Sequence, residues 1–136
     1  MTHGAEPKIQ IGLEGRVERL VTSEFTLNRI DPRMPAVFST PAMIAMMELA
    51  SSEATRPALP EGCIQVGVRI EVDHLKAVPA GATVIATSRL VAVDGRRLIF
   101  EVEARSGPHV IGRGRVFHTI VDHSRFLDIA AGNPPK

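Results

Sequence analysis

Ser39-Thr40-Pro41-Ala42-Met43-Ile44-Ala45-Met46-Met47-Glu48-Leu49-Ala50 is the stretch that decides how this chain folds. A hydroxyl followed by proline is a helix start, because the hydroxyl accepts from free backbone N–H groups and the proline has no N–H to strand. The helix should run to about Arg56, where Pro57 and Pro60 stop it. From Pro41 to Ala50 every residue but Glu48 is apolar, so the helix needs burial over most of its circumference. A lone carboxylate in such a rod is costly to desolvate and needs partners or a task. Thr40 opens the same segment and His74 lies in a later strand-like stretch. A hydroxyl, a carboxylate and an imidazole are the working parts of acyl-transfer chemistry.

What could bury that helix lies on both sides of it. Arg16 to Asn28 has period-two stretches and β-branched residues, which predicts a strand; Ile30 to Pro35, with two prolines, is a loop. After Gly62 everything reads as sheet. Ile64, Val66, Val68, Ile70 and Val72 alternate strictly within Cys63 to Leu75, predicting a strand with one buried face. Thr83 to Val93 and Arg97 to Arg105 are two more strands joined at Asp94-Gly95, a strong hairpin signal. His109 to Val121 is the last, and a short helical or irregular tail spans Ser124 to Ala131. One curved antiparallel sheet wrapped around a long central helix satisfies this order. This is the hot-dog architecture, an α+β fold, with residues 1–136 as one domain and with 1–9 and 132–136 expected to be flexible.

Composition removes several function classes. With 44% hydrophobic and 23% charged residues, the chain is a folded soluble protein rather than a disordered one. A net charge of +1, without a basic stripe and without Trp or Tyr, gives nucleic acid no footprint. The longest apolar run, Ala42 to Met47, is too short to cross a membrane, and the polar N-terminus has no secretory apolar core. The single Cys63 excludes an intrachain disulfide and fits a reducing cytoplasm. The five His are scattered without ligand spacing, so no metal site is expected.

Val37-Phe38-Ser39-Thr40, the Met46-Met47-Glu48-Leu49-Ala50 block, Gly67 seven residues before His74, Pro79-Ala80-Gly81 and Val93-Asp94-Gly95-Arg96-Arg97-Leu98 occur in order, followed by Gly112-Arg113-Gly114 and Arg125-Phe126. Through them the chain resembles the hot-dog thioesterases, and most closely the fluoroacetyl-CoA thioesterase family, from about Pro35 to Phe126. The resemblance implies Thr40, Glu48 and His74 as the catalytic set and Gly67 as a position that helps hold the thioester carbonyl. It further implies a homodimer, with pairing of dimers into a tetramer left open, and active sites near the subunit interface. Hydrolysis of acyl-CoA would then proceed without metal or cofactor. Two departures point away from fluoroacetyl-CoA as the substrate. Met34 stands where the fluoroacetyl-specific member has a phenylalanine gate, and His118 stands in the place of an arginine.

Each residue also has a plainer reading. Thr40 is a natural N-cap, a role that can coexist with a catalytic one. Glu48 could pair with an arginine, or could activate water or attack a thioester carbonyl. His74 could be a surface histidine or a proton carrier. Met43, Met46 and Met47 suit a core, although Met side chains with Phe38 and Met34 could line an acyl pocket. Arg96, Arg97, Arg113 and Arg115 are candidates for CoA phosphates or simply solubilise edge strands. Thr40 and Glu48 lie about 12 Å apart along one regular helix. Either the chain bends near Thr40, or the site is shared by two subunits. Two other functions compete: a hot-dog dehydratase or hydratase, and a non-catalytic acyl-CoA binding protein. Asp73 and His74 are strand neighbours that face opposite ways, which speaks against the first.

Overall fold

The structure is a computed structural model that describes residues 8–133. The chain runs through β1 (Glu14–Leu20), a 3-10 turn (Ser23–Phe25), α1 (Leu27–Ile30), α2 (Thr40–Thr55), a second 3-10 turn (Arg56–Ala58), β2 (Cys63–His74), β3 (Thr83–Asp94), β4 (Arg97–Ser106), β5 (His109–Asp122) and α3 (His123–Ala130). α2 begins where the hydroxyl-proline signal places it. Its cap is Ser39, whose Oγ accepts from the Ala42 N–H at 3.2 Å, and Thr40 is the first helical residue. Pro57 in the following 3-10 turn ends the helix.

The five strands form one antiparallel sheet in the order β1-β3-β4-β5-β2, open at both edges. α2 packs on its inner face. Met43, Met46, Met47 and Ala50 are buried there against Ala86 and Leu90 of β3, Leu98 and Phe100 of β4, and Val116 of β5. Full burial of each large side chain stabilises by about 1.5–3 kcal/mol, so the methionines belong to the core rather than to a ligand wall. At β1 a Cβ on Gly15 would overlap the Ala50 carbonyl oxygen, so glycine lets that strand approach the helix backbone. This is the hot-dog arrangement expected from the sequence.

The outer face carries charges of alternating sign. Glu14, Arg89, Glu101, Arg115 and Glu71 follow one another in register across β1, β3, β4, β5 and β2. Opposite charges on neighbouring strands favour this register modestly.

Two expectations need correction. The strand expected over Arg16–Asn28 stops at Leu20, after which the Thr26 hydroxyl donates to the Ser23 carbonyl at 2.8 Å. Such short side-chain-to-backbone bonds offer the chain an alternative to a sheet ladder. β2 does not keep one buried face. It is an edge strand with Val68 47% and Ile70 36% exposed, and its register shifts between Gly67 and Arg69. The extra residue, Val68, changes which alternate positions face α2. The flexible ends expected at 1–9 and 132–136 lie mostly outside the described residues; of those described, Ile9 packs against the core. The Asp94-Gly95 hairpin is present as a two-residue turn of Gly95 and Arg96, with Gly95 at φ 59°.

Candidate active site

Because Ser39 takes the capping role, the Thr40 hydroxyl is free to turn elsewhere. Its Oγ1 shares a 2.7 Å hydrogen bond with Nδ1 of His74 at the end of β2. The Val68 irregularity makes this possible. Gly67 pairs with His118, and His74 pairs with Gly112. Positions 118 and 112 are both buried on the inner face, so Gly67 and His74 share that face although seven residues separate them. In an unbroken strand an odd separation would put them on opposite faces. Phe38, buried, sets its ring edge against His74 with centroids 6.4 Å apart. A shallow cleft of 290 Å³ opens there, lined by Leu27, Val37, Phe38, Thr40, His74 and Lys76 among others. Met34 is exposed in the preceding loop and does not line this cleft.

Two turns farther along α2, Glu48 lies over Gly67. A Cβ at position 67 would collide with Glu48 Oε1, so the missing side chain is what gives the carboxylate its place. Glu48 is 37% exposed in its side chain, and burial raises its pKa above the ordinary carboxylate value. Beside Gly67 on β5 stands His118, 2% exposed, with Nε2 3.6 Å from Glu48 Oε1. Burial lowers the His118 pKa to about 4, so at neutral pH this is a neutral imidazole facing a carboxylate rather than an ion pair. The Phe100 ring packs edge-on against it, centroids 5.4 Å apart.

Within one chain these are two separate groups. Thr40, His74 and Phe38 gather at the start of α2; Glu48, Gly67 and His118 gather at its middle. α2 is helical from Thr40 onward, so no bend brings the two hydroxyl and carboxylate ends together. Asp73 pairs with Arg113 on the outer face, away from His74. Arg97, Arg113 and Arg115 also lie on that outer face, and Arg96 sits in the hairpin turn, so none approaches Glu48. Among the described residues no three His, Cys, Asp or Glu side chains gather to hold a metal ion, and no helix is long and apolar enough to cross a membrane.

One participant escaped the sequence reading: Gln65, whose amide contacts His118 and α2. The available signal was a lone amide two residues before Gly67 in a strand of β-branched residues.

The chain is similar to known proteins over most of its length. The family described as FlK, fluoroacetyl-CoA-specific thioesterase, matches residues 21–124. A fluoroacetyl-CoA thioesterase of Streptantibioticus cattleyicolor is 38% identical over 92 residues, which cover 68% of this chain and 66% of that relative's length. A solved structure of the fluoroacetyl-CoA thioesterase FlK superposes with a TM-score of 0.86 at 30% identity, covering 93% of this chain and 98% of that one. A hot-dog-like protein from Thermanaerovibrio acidaminovorans, 24% identical with a TM-score of 0.81 and 90% of each chain covered, shares the fold.

Proposed function

This chain belongs to the fluoroacetyl-CoA-specific thioesterase family, a family of thioester hydrolases, and from that premise we propose that it cleaves the thioester of a small acyl-CoA at a site shared by two subunits. The observation that carries the reading is Glu48 lodged over Gly67. A half-buried carboxylate of raised pKa, beside a position with no side chain, is suited to act as a base on water next to a bound carbonyl. Water attacks the thioester carbonyl carbon as Glu48 accepts its proton. The tetrahedral intermediate collapses, the C–S bond breaks, and the thiolate of CoA leaves to be protonated through His74 and Thr40. Attack by Glu48 itself, through an acyl anhydride that water then opens, uses the same geometry.

The homodimer is supported by the separation of the two half-sites and by the free edge of β2 with its exposed Val68 and Ile70. Thr40 and His74 of one subunit then face Glu48 of the other. The reaction needs neither metal nor cofactor, and the lone Cys63 suits the reducing cytoplasm. Met34 and His118 replace the two groups associated with fluoroacetyl preference, so fluoroacetyl-CoA is not the favoured ester. The test is a panel of CoA esters of varied acyl length, fluoroacetyl-CoA included, read by thiol release with and without a chelator. A short-acyl optimum that the chelator does not alter supports the proposal. Saturable acyl-CoA binding with no thiol released from any ester would replace it with a non-catalytic binding protein.

A further inference from the structure

The His118 ring carries two nitrogens, and the structure accounts for one of them. Nδ1 lies 2.8 Å from Gln65 Nε2, while Nε2 is buried without a hydrogen-bond partner and points toward Glu48. Which nitrogen holds the proton depends on which way round the Gln65 amide stands. Its surroundings decide that. The Ser51 main-chain carbonyl, 3.5 Å from Gln65 Nε2, can only accept, so the amide edge facing it is the NH2 group. The other edge, Oε1, accepts from the hydroxyl of Thr55, which is buried near the end of α2. With NH2 turned to His118, Nδ1 must be the acceptor, and the ring proton sits on Nε2.

We propose that Gln65 is a positioning residue for the thioesterase site: anchored by Thr55 and Ser51, it holds His118 as the neutral Nε2–H tautomer, so that an uncharged hydrogen-bond donor stands beside Glu48. This rests on the function proposed above. The donor atom lies 3.6 Å from Glu48 Oε1, outside hydrogen-bond distance, and is therefore free to engage the carboxylate or a thioester oxygen as either moves in. Protonating His118 would place an N–H on Nδ1 against the Gln65 NH2. To relieve two donors facing each other, the amide would have to flip, which sets its oxygen against the Ser51 carbonyl and reverses the bond to Thr55, whose hydroxyl would then accept. The groups facing the ring are Glu48 from α2, Gln65 and Gly67 from β2, and Leu98 and Phe100 from β4. Glu48 alone among them titrates. A neutral donor leaves the proton affinity of Glu48 raised, whereas a cation at the same place would lower it.

The test uses the intact protein and two variants, Gln65→Glu and Gln65→Met. Long-range 1H–15N correlation of the His118 ring reads the tautomer directly on resting protein. In the wild type the proton is expected on Nε2 throughout the neutral range. In Gln65→Glu the new carboxylate accepts from Nδ1–H, so His118 becomes protonated near neutrality, and kcat falls about tenfold or more with KM within about threefold. Gln65→Met removes the amide without adding charge; there the two tautomers mix and kcat falls less. The proposal is overturned by an Nδ1–H tautomer in the wild type, or by spectra and pH profiles that both variants leave unchanged. A wild type that hydrolyses no ester defeats the functional reading instead, and the spectra still decide whether Gln65 controls His118.

Discussion

Thr40 Oγ1 and His74 Nδ1 lie 2.7 Å apart across 34 residues of sequence, the first at the opening of the central helix and the second at the end of the edge strand. The contact exists because the neighbouring hydroxyl, Ser39, satisfies the helix N-terminus instead. Two adjacent hydroxyls therefore have separable duties.

That separation is measurable. Ser39→Ala should lower stability by about 1 kcal/mol, as loss of an N-cap does, with kcat nearly unchanged. Thr40→Val should do the reverse, cutting kcat by about tenfold or more while the urea midpoint barely moves. Equal losses of stability in both variants would show that Thr40 is structural.

Gly67→Ala tests the space under Glu48. The added methyl meets the far end of a flexible carboxylate, so the fold should tolerate it, but the carboxylate must leave its place. Thiol release should fall by about tenfold or more, and Glu48→Gln should fall by about a hundredfold. Glu48→Gln also carries a stability signature. Because the folded-state pKa of Glu48 is raised, ionising it opposes folding. The variant should gain stability relative to wild type as pH climbs above 4.5 through the raised value.

His118 gives the protein an acid-sensitive step. Its folded pKa of about 4 lies below the unfolded 6.5, so the stability held above 6.5 is lost as pH falls toward 4. Between pH 7 and pH 5 the loss should be about 2 kcal/mol. Denaturant melts at the two pH values will show it, and His118→Asn should flatten that difference.

A site shared between two subunits, as proposed, would permit complementation. Glu48→Gln and His74→Ala subunits, each inactive alone, should regain roughly a quarter of wild-type activity when unfolded and refolded together, because half the dimers are mixed and each mixed dimer has one intact site. No recovery would place both residues in one subunit's site. Val68→Asp or Ile70→Lys, on the exposed edge strand, should give monomers by light scattering with the activity gone.

Much of this architecture is legible in the chain. Ser39, Thr40 and Pro41 announce the helix and Pro57 ends it; alternation marks β2 to β5 within a residue or so; Asp94-Gly95 marks the hairpin. The misses have a common cause. The break after Leu20, the choice of Ser39 over Thr40 as cap, and the extra residue at Val68 are settled by tertiary contacts that local pattern does not register. Gln65 was invisible for a related reason: an amide gains meaning only once Thr55, Ser51 and His118 surround it.

The spare residue at Val68 has a consequence for how much of this chain can be altered. An odd interval between Gly67 and His74 is made to behave as an even one, so inserting a further residue between them would send one of the two outward, whereas deleting Val68 itself would leave an even interval in a regular strand and keep both inward. Length in that segment is thus governed by parity, and a one-residue insertion in a loop elsewhere in the protein should be tolerated where one between Gly67 and His74 is not.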